Sequence, residues 1–256
     1  MKNLILPVKK KIVYFFAFQF MITTSVFSQT QNQKSQIGIN LGSSFSTGNF
    51  GSTDFDESES AYAKNGISSE ISYSYTFHPK IGLTAIWRGQ VNRIDIGNYA
   101  QDLANYFGAG YPAGTTSVSV ETSGYSLSGL MAGIYGSFPI VDKLSFQPRL
   151  LVGISTAILP EITTKSYYMK DLLTTFIQSR AETTTFSYIV GAGLKLDVSN
   201  SVSLLLHIDR CVARPNWENV KVTGIGHITG TVDINNYDFE YTFTTNNIIG
   251  GLGFRF

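Results

Sequence analysis

The chain has 256 residues with 19 basic and 18 acidic side chains, a formal net charge of +1, so no basic excess marks it for nucleic acid. Cys211 is the one cysteine, which excludes an intramolecular disulfide. With 24 Gly, 14 Tyr and 18 Phe, the composition favours strands and turns over helices.

The first segment reads as a secretory leader. Lys9, Lys10 and Lys11 precede an apolar stretch from Ile12 to Ile22, and Val26-Phe27-Ser28 supplies the cleavage-site pattern, with cleavage after Ser28. The apolar run is well short of the ~20 residues that a spanning helix requires. The predicted organisation is therefore a leader at 1–28 and one domain at 29–256. No cysteine lies near the cleavage site to carry a lipid.

Beyond the leader, period-two alternation dominates, because successive strand residues point to opposite faces of a sheet. A first strand at about 36–48 carries Ile37, Ile39, Leu41 and Phe45 on one face. The second, Ile67 to Phe77, places its apolar residues at odd positions and Ser, Glu and Thr opposite them. His78-Pro79-Lys80 turns the chain, and the third strand returns through Ile81, Leu83, Ala85 and Trp87, with Ile86 out of pattern.

A fourth strand is expected at about 120–138, with its facing open, since Leu127, Met131 and Tyr135 compete with Leu130 and Ile134. The fifth presents Leu144, Phe146, Leu150, Val152 and Ile154, and is weakened locally by Pro148. The sixth, at about 184–196, presents Phe186, Tyr188, Val190, Ala192 and Leu194. The seventh, at about 201–211, presents Val202, Leu204, Leu206 and Ile208, with Leu205 on the other face. The eighth runs from Phe239 to Phe256 and switches parity, which calls for a bulge between Thr244 and Asn247. Between the fifth and sixth, apolar residues from Tyr168 to Ile177 recur at helical spacing and predict a short amphipathic helix at 166–179.

Connections alternate strictly between short and long. His78-Pro79-Lys80, Pro139 to Lys143 and Asp197 to Asn200 are short, whereas 49–66, 98–118, 159–183 and 212–236 are long. Such alternation fits short periplasmic turns and long extracellular loops. The expected fold is all-β: a closed eight-stranded antiparallel up-and-down transmembrane β-barrel, with both termini periplasmic. Near-zero mean hydropathy, +0.05, is compatible with it, since only every second strand residue faces lipid. A soluble barrel or sandwich would bury the apolar face instead, and parity alone fits both.

The C-terminal run Gly250-Gly251-Leu252-Gly253-Phe254-Arg255-Phe256 sharpens the choice. With it, the whole mature chain resembles the small eight-stranded outer-membrane barrels, a family of membrane-anchoring, adhesin-like and narrow-channel proteins. The resemblance implies that Gly251, Phe254 and Phe256 form the signal read by the barrel insertion machinery, with Ile249 where a polar residue is expected. Phe254 and Phe256, with Phe77 and Phe146, would also belong to an aromatic girdle at the membrane interface, so outer-membrane lipids are expected partners.

By parity and height, Glu70, Arg88, Arg149, His207 and Asp209 should share one mid-lumen layer. An eight-stranded barrel is just wide enough for side chains to fill, and arginines opposite carboxylates satisfy each other, so the layer reads as a plug. A His207–Asp209 pair would otherwise suggest a hydrolytic site, and His227, near hydroxyls at Thr223 and Thr229, is the other candidate base. The acidic cluster of Asp54, Asp56, Glu57 and Glu59 reads as a solvated loop.

The leading expectation is a non-enzymatic barrel without cofactor or metal, which supports the membrane or recognises an unknown extracellular ligand. Its loop aromatics Trp217, Tyr106, Tyr111, Tyr167 and Tyr168 would be available for contacts. A narrow conduit is the second reading, motivated by inward Gly38, Gly42, Gly191 and Gly193. A lipid-modifying enzyme is the third.

Overall fold

The computed structural model describes residues 34–57, 59–109, 112 and 116–256. The predicted leader at 1–28 and Tyr111 lie outside the described residues.

In chain order the elements are β1 (Ser35–Ser46), a 3-10 turn (Gly48–Gly51), β2 (Ala63–His78), β3 (Ile81–Ile94), α1 (Ile96–Gly108), β4 (Thr116–Thr122) and β5 (Tyr125–Gly136). They continue with β6 (Phe138–Val141), β7 (Leu144–Leu159), β8 (Ile162–Tyr168), β9 (Asp171–Gln178), β10 (Ala181–Asp197), β11 (Val202–Ala213), β12 (Asn216–Gly226), β13 (Thr231–Glu240) and β14 (Phe243–Arg255).

Eight of these strands close a ring, in the order β1-β2-β3-β5-β7-β10-β11-β14, and β14 returns to β1. Every pairing in the ring is antiparallel, and closure leaves no unpaired edge inside it. The short β6 only extends the turn end of β7, where Phe138 pairs with Phe146.

Alternation sets the two faces. Ile39, Ile71, Trp87, Leu130, Ile154, Phe186, Ile208 and Leu252 are exposed on the outside, while Asn40, Glu70, Arg88, Gln147, Arg149, Asp209 and Asn247 are buried within. An apolar belt around a polar, filled interior is stable only in contact with lipid, which is how a transmembrane barrel differs from a soluble one. Among the described residues no helix is long and apolar enough to cross a membrane; the strands do the crossing.

The open facing of the fourth strand resolves in favour of Leu130 and Ile134, which are exposed, with Leu127 and Met131 buried inside. That strand starts only at Tyr125. Gly124, at φ +92, breaks the chain, and β4 before it belongs to another sheet. The residues out of pattern, Ile86 and Leu205, are lumen-facing and buried.

Two expectations are corrected. β14 runs from Thr245 to Arg255 against β1 without a register shift, so the eighth strand has no bulge. The parity switch arises because Phe239 belongs to β13 and Tyr241 lies in the connection, while Phe243 opens β14 pointing inward, 2% exposed. The helix expected at 166–179 is instead the β8–β9 hairpin, turned at Met169 and Lys170 with φ of 48 and 81. Left-handed residues at both central positions suit a tight hairpin, but neither is the Gly or Asn that would signal it.

The facing of β5 can be tested on the lipid side. Leu130→Arg should destabilise the barrel in vesicles by about 2–4 kcal/mol in denaturant titrations, the cost of a charge near the bilayer midplane. A neutral effect would mean that this face is not in lipid.

Candidate functional site

The lumen is filled from its middle outward. Glu70 from β2, Arg88 from β3, Arg149 from β7 and Asp209 from β11 meet across it, brought to one height by the pairing of Glu70 with Arg88 and the alignment of Arg149, Gly191 and Asp209 along neighbouring strands. Arg149 bridges both acids: Nε donates to Asp209 Oδ1 at 3.0 Å, Nη2 to Asp209 Oδ2 at 2.5 Å, and Nη1 to Glu70 Oε1 at 3.0 Å. Arg88 Nε donates to Glu70 Oε2 at 3.2 Å and its Nη2 also pairs with Asp209. Asn40 Nδ2 adds a bond to Glu70 Oε1 at 3.1 Å.

Two guanidiniums therefore face two carboxylates, and the charge sums to zero. None of the four side chains is more than 4% exposed. Buried charges are tolerated only when paired and hydrogen-bonded in this way, because an orphaned ion bears its full desolvation cost.

Two of the inward glycines make room for this arrangement. A side chain at Gly191 would collide with Asp209 Oδ1, and one at Gly193 with His207 Nδ1. These residues leave space for lumen side chains rather than for a channel. His207 is buried below the layer, makes no hydrogen bond to Asp209 and has no partner for Nδ1, so the geometry of a His–carboxylate dyad is absent.

Above the layer lies a polar stack. Thr245 Oγ1 donates to Gln90 Oε1 at 3.3 Å, and Asn92 Nδ2 donates to Ser46 Oγ at 3.0 Å. Over that sits an aromatic cap. Phe50 stacks on Phe243 with centroids 4.1 Å apart, Tyr125 meets both edge-on, and Trp217 Nε1 donates to the Ala157 carbonyl at 3.1 Å. Trp217 is thus 1% exposed and not free for contacts, because its ring fills the barrel mouth. Burial pushes the neighbouring Tyr241 phenol up to about 12, so it stays protonated.

The long connections are not loose. β4, β8, β9, β12 and β13 form one antiparallel sheet in the order β13-β12-β9-β8-β4, standing on the loop end of the barrel. Thr175 on β9 bonds His227 Nε2 at 3.0 Å, so His227 is paired within this sheet and not with Thr223 or Thr229. β13 is an edge strand with Val232, Ile234 and Tyr237 exposed. Tyr106 is exposed on α1, while Tyr167 and Tyr168 are half-buried in β8.

Helix α1 packs against the other end of the sheet, on β4. Asp95 caps it by accepting from the Asn98 N–H at 3.2 Å. Burial alone would raise the Asp95 carboxyl, but Lys64 at 3.0 Å and the Asn98 bonds hold it below the usual range. Tyr62 ties α1 to the barrel rim through Asp102 Oδ2 at 2.8 Å. The sequence signal for this helix was Asp95 followed by Ile96, Tyr99 and Leu103 at helical spacing. At the turn end, Gly251, Phe254 and Phe256 close β14: Gly251 pairs with Asn40, Phe254 with Ile37, and the Phe256 N–H donates to the Ser35 carbonyl at 3.0 Å. Asp54 and Asp56 are solvent-exposed, and among the described residues no cluster of His, Cys, Asp or Glu is placed to hold a metal.

Arg149→Gln should cost about 3–5 kcal/mol in vesicle unfolding, since it strands a buried carboxylate charge. Gly191→Val should also destabilise, by displacing Asp209; unchanged stability for both would mean that the layer is not closed as described.

No protein-family model and no curated protein matches the chain. Among solved structures it is similar to a major outer membrane protein from Thermus thermophilus, with TM-score 0.47, 11% identity, and 87% of this chain and 99% of that one covered. It is also similar to Neisserial surface protein A (TM-score 0.41, 11% identity, 87% and 97% covered). A third is Ail, the attachment invasion locus protein of Yersinia pestis (TM-score 0.37, 13% identity, 87% and 99% covered). At these scores the likeness carries no argument; the strand ring does. By its closed ring and outward apolar belt, the chain has the fold of the small eight-stranded outer-membrane β-barrels.

Proposed function

We propose that this is an exported, non-catalytic outer-membrane barrel that holds its five-stranded sheet at the cell surface for recognition, with both termini in the periplasm. The observation that carries the reading is the pairing of a sealed lumen with an ordered projection. The charged layer and the aromatic cap fill the lumen, whereas chain from three long connections is built into one sheet. Binding function usually resides in surface segments positioned by a rigid scaffold. The free edge of β13 and its exposed Val232, Ile234 and Tyr237 are the surface available to an extracellular partner.

The conduit reading is disfavoured by the same layer, and catalysis by the missing His207–Asp209 contact. Outer-membrane lipids remain the partner of the belt, and the insertion machinery the expected reader of Phe256.

Ile234→Cys should react with a membrane-impermeant maleimide on intact cells, while buried Cys211 stays silent. Labelling only after lysis would reverse the orientation and overturn the proposal. In planar bilayers the wild-type barrel should give no ion-conducting steps; steady single-channel conductance would restore the conduit.

A further inference from the structure

A blind cavity of about 530 Å³ occupies the turn end of the lumen, below the charged layer. It runs from a rim at Pro79 and Ser137 to a floor at Arg149 and His207. Its size is that of a small-molecule site.

Its chemistry is one-sided. Lys34, Arg149, Lys195 and Arg255 line it, and among the described residues no carboxylate does. Asp197 lies beside it, 3.6 Å from Lys195 Nζ and 3.1 Å from Arg255 Nη1, and so balances one of these two cations. The Phe256 main-chain oxygen accepts from the Ser35 N–H at 3.2 Å. Arg149 is neutralised within its layer, but Lys34 has no ion pair among the described residues.

Two buried groups are also unsatisfied. His207 lines the cavity at 6% exposure with no hydrogen-bond partner for Nδ1, and Arg255 Nε has none either. Buried polar groups are normally hydrogen-bonded, and here a molecule in the cavity can supply the partner. The rest of the wall is hydroxyl and amide: Ser72, Ser74, Thr84 and Gln147 among others.

We propose that this cavity is a binding site for a small hydroxylated phosphate ester, entering from the end that carries the termini. Separate cationic donors suit a phosphate, whose oxygens accept charge-assisted hydrogen bonds, and the hydroxyl wall suits the polyol body. A free sugar phosphate, a monoester, and the glycerol head group of phosphatidylglycerol, a diester, share a phosphate beside hydroxyls. The site is independent of what the loop-end sheet recognises.

The test is isothermal titration of the barrel, in phosphatidylcholine nanodiscs, with glucose 6-phosphate, inorganic phosphate and glucose. Saturable binding of glucose 6-phosphate is expected, with inorganic phosphate competing and glucose inert. Lys195→Gln, by losing one charge-assisted contact, and Gln147→Glu, by setting a carboxylate against the phosphate, should each weaken it by about tenfold. Lys64→Gln, the same charge change at the loop end, should leave it unaltered. Heat-modifiable gel mobility confirms that each variant is folded. Repeating the titration in phosphatidylglycerol nanodiscs separates the sources: weakened binding assigns the site to lipid head groups, and unchanged binding to a free solute. No saturable binding by the folded wild-type barrel, or equal weakening by Lys64→Gln, would overturn the proposal.

Discussion

The structure depends on four charges sharing a space from which water is nearly excluded. In the lumen Glu70, Arg88, Arg149 and Asp209 pair with one another, and each carboxylate is held by both guanidiniums. Neutrality and bidentate geometry make burial tolerable where any single ion would not be. The layer thereby fixes the relative heights of β2, β3, β7 and β11, and Gly191 is required to let Asp209 reach it.

Everything else is arranged about that plane. Towards the loops, hydroxyls and amides give way to the Phe50–Phe243–Tyr125–Trp217 cap, so the mouth is closed by aromatic packing. Towards the termini, the lumen opens into a cavity lined by Lys34, Arg149, Lys195 and Arg255 and, among the described residues, by no carboxylate. The two ends therefore have different chemistry although one ring of strands builds both. The filled barrel also gives the five-stranded sheet its base.

Much of this was legible in the chain because a strand's period of two is unambiguous when one face meets lipid. Ile39, Trp87, Ile154 and Ile208 declare the outside, and the same parity places Glu70, Arg88, Arg149 and Asp209 on the inside. What parity cannot supply is partnership: Asn40 joins Glu70 through register with a strand 30 residues away. Parity misleads where apolar residues serve something other than the belt. Trp217 and Phe243 look like surface and lipid residues by sequence, yet both fill the cap. The 166–179 segment spaces its aromatics as a helix would, but its hairpin turn at Met169 and Lys170 lacks the usual residue signal. Helix α1 lies in a connection with no membrane-facing pattern, and its own signal is confined to the Asp95 cap and the spacing of Ile96, Tyr99 and Leu103.

If the charged layer is a coupled, closed unit, a double-mutant cycle on Arg149 and Glu70 will show it most directly. Unfolding from vesicles of Arg149→Met, Glu70→Met and the double variant should give a favourable coupling of about 0.5–3 kcal/mol, with the double variant losing less than the sum of the singles. Strict additivity would contradict it, since each side chain would then be acting alone.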